Sequence, residues 1–92
     1  MKIGFFGAGK MAEGILSAIP KKRDVIMAEK VPARAKDLKR KYGVKMTDSL
    51  AEVAKTADLI FLAVRPQDLA ALAADVKPFL TAKSLVVSIA AG

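Results

Sequence analysis

The sequence predicts an α/β fold: a doubly wound, parallel, five-stranded sheet with helices on both faces. Three observations carry that expectation. Short apolar runs alternate with helix-periodic stretches along the whole chain, with only brief connections between them. The apolar share is 53% while aromatic residues make up only 5%, so aliphatic side chains and alanine must build the core. That composition suits strands covered by helices on both faces. A glycine-bearing turn, Gly7-Ala8-Gly9, also joins the first apolar run directly to the first periodic one.

Each element has its own signal. Lys2-Ile3-Gly4-Phe5-Phe6 is a compact apolar run that ends at glycine and predicts a buried first strand. From Lys10 to Ile19, the four-residue spacing of Met11, Ile15 and Ile19 predicts one buried helical stripe, which Pro20 stops. Val25 to Ala28 is the second strand. A second helix follows Pro32, with Ala35, Leu38 and Tyr42 inward and basic residues outward, and Gly43 ends it. Val44 to Thr47 is a short, half-polar strand suited to a sheet edge. Ser49-Leu50-Ala51-Glu52 has the form of a capping box and opens a short third helix ending near Ala57.

Leu59 to Val64 is the strongest strand signal in the chain. Pro66 occupies a first helical position, where its missing amide does no harm. Leu69, Leu72 and Val76 make the buried stripe of that helix, and Pro78 closes it. Ser84 to Ile89 is a β-branched, apolar fifth strand, followed by Ala90-Ala91-Gly92. The order is βαβαβαβαβ. Right-handed crossovers arrange it as a sheet of strand order 3-2-1-4-5.

Ninety-two residues suffice for one domain with one core. Cysteine and histidine are both absent, which excludes disulfides, thiolate metal sites and a serine–histidine couple. The N-terminus lacks the charged head and long apolar run of a targeting signal, and Leu59–Val64 is far too short to span a bilayer. A cytoplasmic protein is the expectation. The net charge of +7 invites a nucleic-acid reading. However, the excess sits in Lys21-Lys22-Arg23 and on the outer face of the second helix, at Lys36, Lys39, Arg40 and Lys41. No aromatic side chains are interleaved to stack bases, so a solvated surface is the better reading. The charge can still steer an anionic ligand toward the protein.

The chemistry lies at the first turn. Gly7-Ala8-Gly9-Lys10-Met11-Ala12 fits the G-x-G-x-x-G/A pattern of a Rossmann dinucleotide fold. Gly7 allows a tight exit from the strand. Gly9 lacks the β-carbon that would hold a pyrophosphate off the backbone, and Ala12 lets the helix pack closely on the strand. The helix N-terminus then offers unpaired amides and the positive end of its dipole to phosphate. Lys10 reads equally as a phosphate contact or as an exposed surface lysine. Glu29 stands about where the fingerprint wants an acidic ribose ligand, at the end of the second strand. Glutamate favours a free 2′-hydroxyl, whereas the neighbouring Lys30 would attract a 2′-phosphate. Both NAD and NADP therefore remain open. Two further segments face the crevice at the ends of strands four and five: Ala63-Val64-Arg65-Pro66-Gln67 and Ser88-Ile89-Ala90-Ala91-Gly92.

Together with Phe61-Leu62 and Val86-Val87, these three segments resemble pyrroline-5-carboxylate reductase, in that family's order and spacing. The resemblance covers essentially the whole chain. It implies NAD(P)H-dependent reduction of a cyclic imine in proline biosynthesis. It also implies cofactor contacts at Gly7, Ala8, Gly9, Lys10, Met11, Glu29, Lys30, Ala63, Val64, Arg65, Pro66 and Ala90. Position 65 is usually lysine in that family and is arginine here, which keeps the charge. Where Glu29 stands, NADP-preferring members carry a small polar residue, often followed by a basic one. The family continues into a helical domain that dimerises and supplies much of the imine pocket, and nothing in residues 1–92 corresponds to it. The chain is therefore expected to bind cofactor without turning over alone, and to form homo-oligomers only with that domain. Two alternatives are a related coenzyme F420-dependent NADP reductase and a stand-alone nucleotide-binding module. No residue is assigned as catalytic acid or base, because hydride chemistry belongs to the cofactor.

Overall fold

A computed structural model describes residues 1–89, and in it apolar runs and periodic stretches become strands and helices in the expected alternation. The strands are β1 (Ile3–Phe6), β2 (Val25–Ala28), β3 (Lys45–Thr47), β4 (Leu59–Leu62) and β5 (Leu85–Ser88). The helices are α1 (Lys10–Ala18), α2 (Pro32–Tyr42), α3 (Leu50–Thr56) and α4 (Pro66–Val76). Single 3₁₀ turns at Lys22–Asp24 and Lys77–Phe79 adjust the chain before β2 and after α4. The sheet runs β3-β2-β1-β4-β5, and every pairing is parallel. Ile3 sits opposite Val25 on one side and Leu59 on the other, so β1 and its two neighbours end level.

Strand alternation divides the core between the two faces. Phe5, Val25 and Met27 point to the face where Ala12 and Leu16 of α1 and Leu38 of α2 are buried. Phe6, Ile26, Ile60 and Leu62 point to the other, against Val53 and Ala54 of α3 and Val76 of α4. Phe5 also stacks on Phe61 with ring centroids 5.0 Å apart. Phe5 is fully buried, and complete burial of such a side chain contributes about 1.5–3 kcal/mol.

Gly4 shows how closely α3 lies on the sheet. A β-carbon there would fall 2.6 Å from Val53 Cγ1 and 2.8 Å from Ala57 Cβ. Gly4→Ala should therefore lower stability by about 1–3 kcal/mol through overpacking, read from the urea midpoint. Adding Val53→Ala should recover part of that loss.

The termini of α2 follow the expected signals. Pro32 occupies its first turn, and Gly43 adopts the left-handed conformation at φ 69°, its N–H donating to the Lys39 carbonyl. Elsewhere the structure corrects the expectation. The buried stripe of α1 is centred on Ala12 and Leu16, with Ile15 and Ile19 beside it, whereas Met11 is 43% exposed. At about 100° per residue, Met11 falls off the edge of that stripe toward the crevice. The capping box is half made. Ser49 Oγ accepts from Glu52 N–H at 3.1 Å, but Glu52 reaches Lys45 Nζ at 3.2 Å, and Ser49 N–H donates to Thr47 Oγ1. β4 ends two residues early, because Ala63 makes one last ladder bond to the Phe6 carbonyl and Val64 turns into the crevice. β5 is apolar yet exposed: Leu85 is 63% exposed on this edge strand, whose only sheet neighbour among the described residues is β4. Among the described residues, no helix is long and apolar enough to cross a membrane.

Candidate cofactor site

The order β2-β1-β4 places the sheet's switch point between β1 and β4, and their carboxyl ends open on one crevice. The turn after β1 is locked at Gly7. Its φ is 93°, its N–H donates to the Ala28 carbonyl at 3.1 Å, and a β-carbon would lie 2.3 Å from the Ala63 carbonyl oxygen. The fold itself therefore requires glycine at position 7.

Gly9 differs. It sits at φ −75°, ψ −174°, ordinary extended backbone, and a β-carbon there would meet nothing within 4 Å. Its carbonyl accepts from Glu13 N–H and so starts α1, but no side chain caps the helix. The first amides of α1 thus have no intrahelical acceptor, and they carry the positive end of the helix dipole. Behind them, Ala12 is fully buried and lets the helix lie close on the sheet, as expected.

Two adjoining clefts flank this turn. One, of about 360 Å3, is lined by Gly7, Glu29, Lys30 and Val64 among the expected site residues, together with Leu50 and Leu72. The other, of about 490 Å3, is lined by Gly9, Lys10, Met11, Glu29, Ala63, Val64 and Arg65. The structure thus brings most of the expected residues together, and Glu29 and Val64 bridge the two clefts. Ala8 and Pro66 line neither. The Ala8 methyl is buried in the core, and Pro66 starts α4 on the outer surface. Ala90 lies outside the described residues.

Glu29 is fixed by backbone contacts. Its N–H donates to the Thr47 carbonyl, and its Oε1 accepts from Val31 N–H at 3.2 Å. The carboxylate therefore stands at the mouth of both clefts before any ligand arrives. Arg65 is exposed, with its Nε 3.7 Å from Asp68 Oδ2.

Sequence reasoning missed Asp48, Asp68 and Asp75, which join Glu29 in lining the first cleft. Asp48 directly follows β3, and Asp68 stands in the first turn of α4. Both positions lie at carboxyl ends of strands, where ligand contacts are expected. Asp75 follows Asp68 by seven residues, two helical turns along the same face of α4. A second missed group lies behind the turn. Arg34 Nε donates to the Ala8 carbonyl at 2.6 Å, and its Nη2 donates to Glu13 Oε1 at 2.9 Å. Glu13 also accepts from Tyr42 Oη at 2.7 Å and lies 3.2 Å from Lys41 Nζ. Those three donors, Tyr42 first, hold the Glu13 carboxyl down to about 2, so it is ionised throughout the neutral range. Lys41 therefore does not belong wholly to the solvated basic face of α2.

Over residues 2–92 the chain matches the family model described as NADP oxidoreductase, coenzyme F420-dependent. The pyrroline-5-carboxylate reductase of Methanosarcina acetivorans is 35% identical over 97 residues, an alignment covering 99% of this chain and 36% of that protein. Among solved structures, a pyrroline-5-carboxylate reductase from Coxiella burnetii superposes with a TM-score of 0.87 at 28% identity. That match covers 99% of this chain and 36% of the other. Pyrroline carboxylate reductase from Plasmodium falciparum, with NADP bound, superposes with a TM-score of 0.76 at 27% identity, over 98% of this chain and 33% of the other. The chain therefore spans 36% of the length of the curated relatives it matches.

Proposed function

This chain belongs to the coenzyme F420-dependent NADP oxidoreductase family, and on that premise we propose that it is the dinucleotide-binding part of a pyrroline-5-carboxylate reductase. The observation that carries the cofactor reading is Gly9. Its backbone conformation suits any residue and its β-carbon would have free space, so the fold does not ask for glycine there. A pyrophosphate resting on the start of α1 does.

In this reading the amides from Gly9 to Met11 hold the pyrophosphate, with Lys10 beside it. The cleft lined by Gly7, Leu50, Val64 and Leu72 takes the adenosine half, and Glu29 meets its ribose. The cleft lined by Ala63, Val64 and Arg65 takes the nicotinamide end. The bound reduced nicotinamide supplies the hydride that, with a proton, reduces a C=N bond to an amine. This chain's own residues bind and orient the cofactor. Lys10, Glu29, Lys30 and Arg65 all serve as cofactor contacts, and none is assigned to proton transfer. The cyclic imine, the homo-oligomer and cytoplasmic proline synthesis belong to a larger protein in which a helical domain completes the substrate pocket. Hydride transfer needs both reacting carbons held near contact. Residues 1–92 alone should therefore bind cofactor without appreciable turnover.

The reading is tested by a graft. Replacing the matching N-terminal segment of the M. acetivorans reductase with this chain should give an enzyme that oxidises NADH or NADPH when given pyrroline-5-carboxylate. A folded, dimeric graft without that activity, or robust activity of residues 1–92 alone, would count against it. The description of the family model favours a second reading, a reductase working between coenzyme F420 and NADP. Activity of the graft decides between them. For cofactor choice, Glu29→Ser removes the charge that opposes a 2′-phosphate and should move the NADPH-to-NADH affinity ratio toward NADPH by about tenfold, read by calorimetry. An unchanged ratio would remove Glu29 from the ribose site.

A further inference from the structure

We propose that Arg34 is a positioning residue for pyrophosphate binding, acting from behind the glycine turn by fixing the direction of the Gly9 N–H. This rests on the cofactor reading above and adds the device that holds the turn in its binding shape.

The argument begins with peptide geometry. The Ala8 carbonyl and the Gly9 N–H belong to one planar unit, and in a trans peptide they point in opposite directions. None of the described peptides is cis. Whatever holds the Ala8 oxygen therefore also aims the Gly9 amide. Arg34 Nε holds that oxygen, at 2.6 Å, from the first turn of α2. Drawing the oxygen toward α2 turns the Gly9 N–H away from α2, toward the cleft that Gly9 lines. Gly9 has no side chain to restrain its φ, so the bond from Arg34 is what holds the oxygen side of this peptide.

The guanidinium is itself well fixed. Its Nη2 bonds Glu13 Oε1 at 2.9 Å, and its Nη1 lies 3.5 Å from Asp37 Oδ2. Two of its nitrogens are hydrogen-bonded and the third faces a carboxylate, so the planar fork cannot rotate away without losing two charge-assisted bonds and an ion pair. Tyr42 Oη and Lys41 Nζ hold Glu13 in turn. The carboxylate at the centre of this cluster stays ionised well below neutral pH. A neutral donor in place of Arg34 keeps neither the fork nor the charge. Arg34 is not among the residues lining the two clefts that flank the turn, so an effect on a ligand seated there would pass through the turn.

The test compares Arg34→Gln and Arg34→Lys with the parent chain, titrating each with NADH, NADPH and ADP-ribose by calorimetry and following the Gly9 amide resonance. Arg34→Gln is expected to weaken all three ligands by a common factor of about five to ten, because all three carry the pyrophosphate. The Gly9 amide should shift in the ligand-free protein. Arg34→Lys, which keeps the charge but not the fork, should fall between parent and glutamine variant, and it decides the matter if Arg34→Gln does not fold. Loss confined to NADPH would mean that Arg34 touches the 2′-phosphate, and the inference falls. Lowered thermal stability with unchanged affinities and an unmoved Gly9 resonance would mean a structural tie only, and the inference falls too. If the parent binds none of the three ligands, the cofactor reading itself fails and takes this inference with it.

Discussion

Gly9→Val should fold as the parent does and bind NADPH about 100-fold more weakly, a loss of about 2.7 kcal/mol. The two halves of that expectation have separate causes. Valine accepts the extended conformation found at position 9, meets no neighbour within 4 Å at its β-carbon, and displaces no capping side chain. Glycine is preferred to valine at a helix N-cap, so the thermal midpoint should reflect a loss of no more than about 1 kcal/mol. The same side chain stands where a pyrophosphate would approach the amides of α1. Charge-assisted hydrogen bonds contribute about 1.5–3 kcal/mol each, so denying the ligand one or two of them yields the expected loss. Calorimetry with NADPH and a melting curve measure both halves. Parental affinity in a folded Gly9→Val protein would show that no phosphate rests there.

Gly7→Ala should do the opposite and damage the fold directly. An alanine at φ 93° is strained by about 1–3 kcal/mol. Its methyl would also lie 2.3 Å from the Ala63 carbonyl oxygen, a backbone atom at the end of β4. Ala63 is itself tied to the Phe6 carbonyl at 2.8 Å, so relief requires the ends of β1 and β4 to part. The combined destabilisation should reach about 3–5 kcal/mol, a large fraction of the 5–15 kcal/mol typical of a domain. A urea titration should show a strongly lowered midpoint or no folded baseline. Two glycines of one motif are thus expected to fail in different ways, Gly7 through stability and Gly9 through affinity. A Gly7→Ala protein of parental stability would contradict the strained turn.

Much of the fold was legible because its signals are local. Pro32 and Pro66 mark helix starts, Gly43 marks a helix end, and the alternation with short connections leaves few ways to order five parallel strands. The misreadings came from packing that one-dimensional spacing does not carry. Met11, Ile15 and Ile19 share a period, but α1 turns its small residue Ala12 to the sheet because the Rossmann turn demands close approach. The apolar run of β5 marks a strand but does not say what lies across its faces, and there it stands exposed. Gly4 is unremarkable in sequence and becomes informative only when Val53 and Ala57 are seen against it.

The site followed the same division. The turn, Glu29 and the segment after β4 could be placed because motif spacing and the carboxyl ends of strands are topological facts. Arg34 could not, because its partners Ala8 and Glu13 are 26 and 21 residues away and meet it only when α2 lies beside α1. Asp48 and Asp68 stood at positions the strand-end rule covers, but without the cleft nothing separated them from ordinary exposed carboxylates.

The most direct test of the dinucleotide seat is an amide-resolved NMR titration of this chain with NADPH and NADH. Saturable shifts at Gly9, Lys10 and Met11, joined by Glu29 and Val64, are the expected result. No shift at millimolar ligand would contradict the account. So would shifts confined to the basic face of α2 at Lys36, Lys39 and Arg40, which would mark a diffuse anion surface instead of a built site.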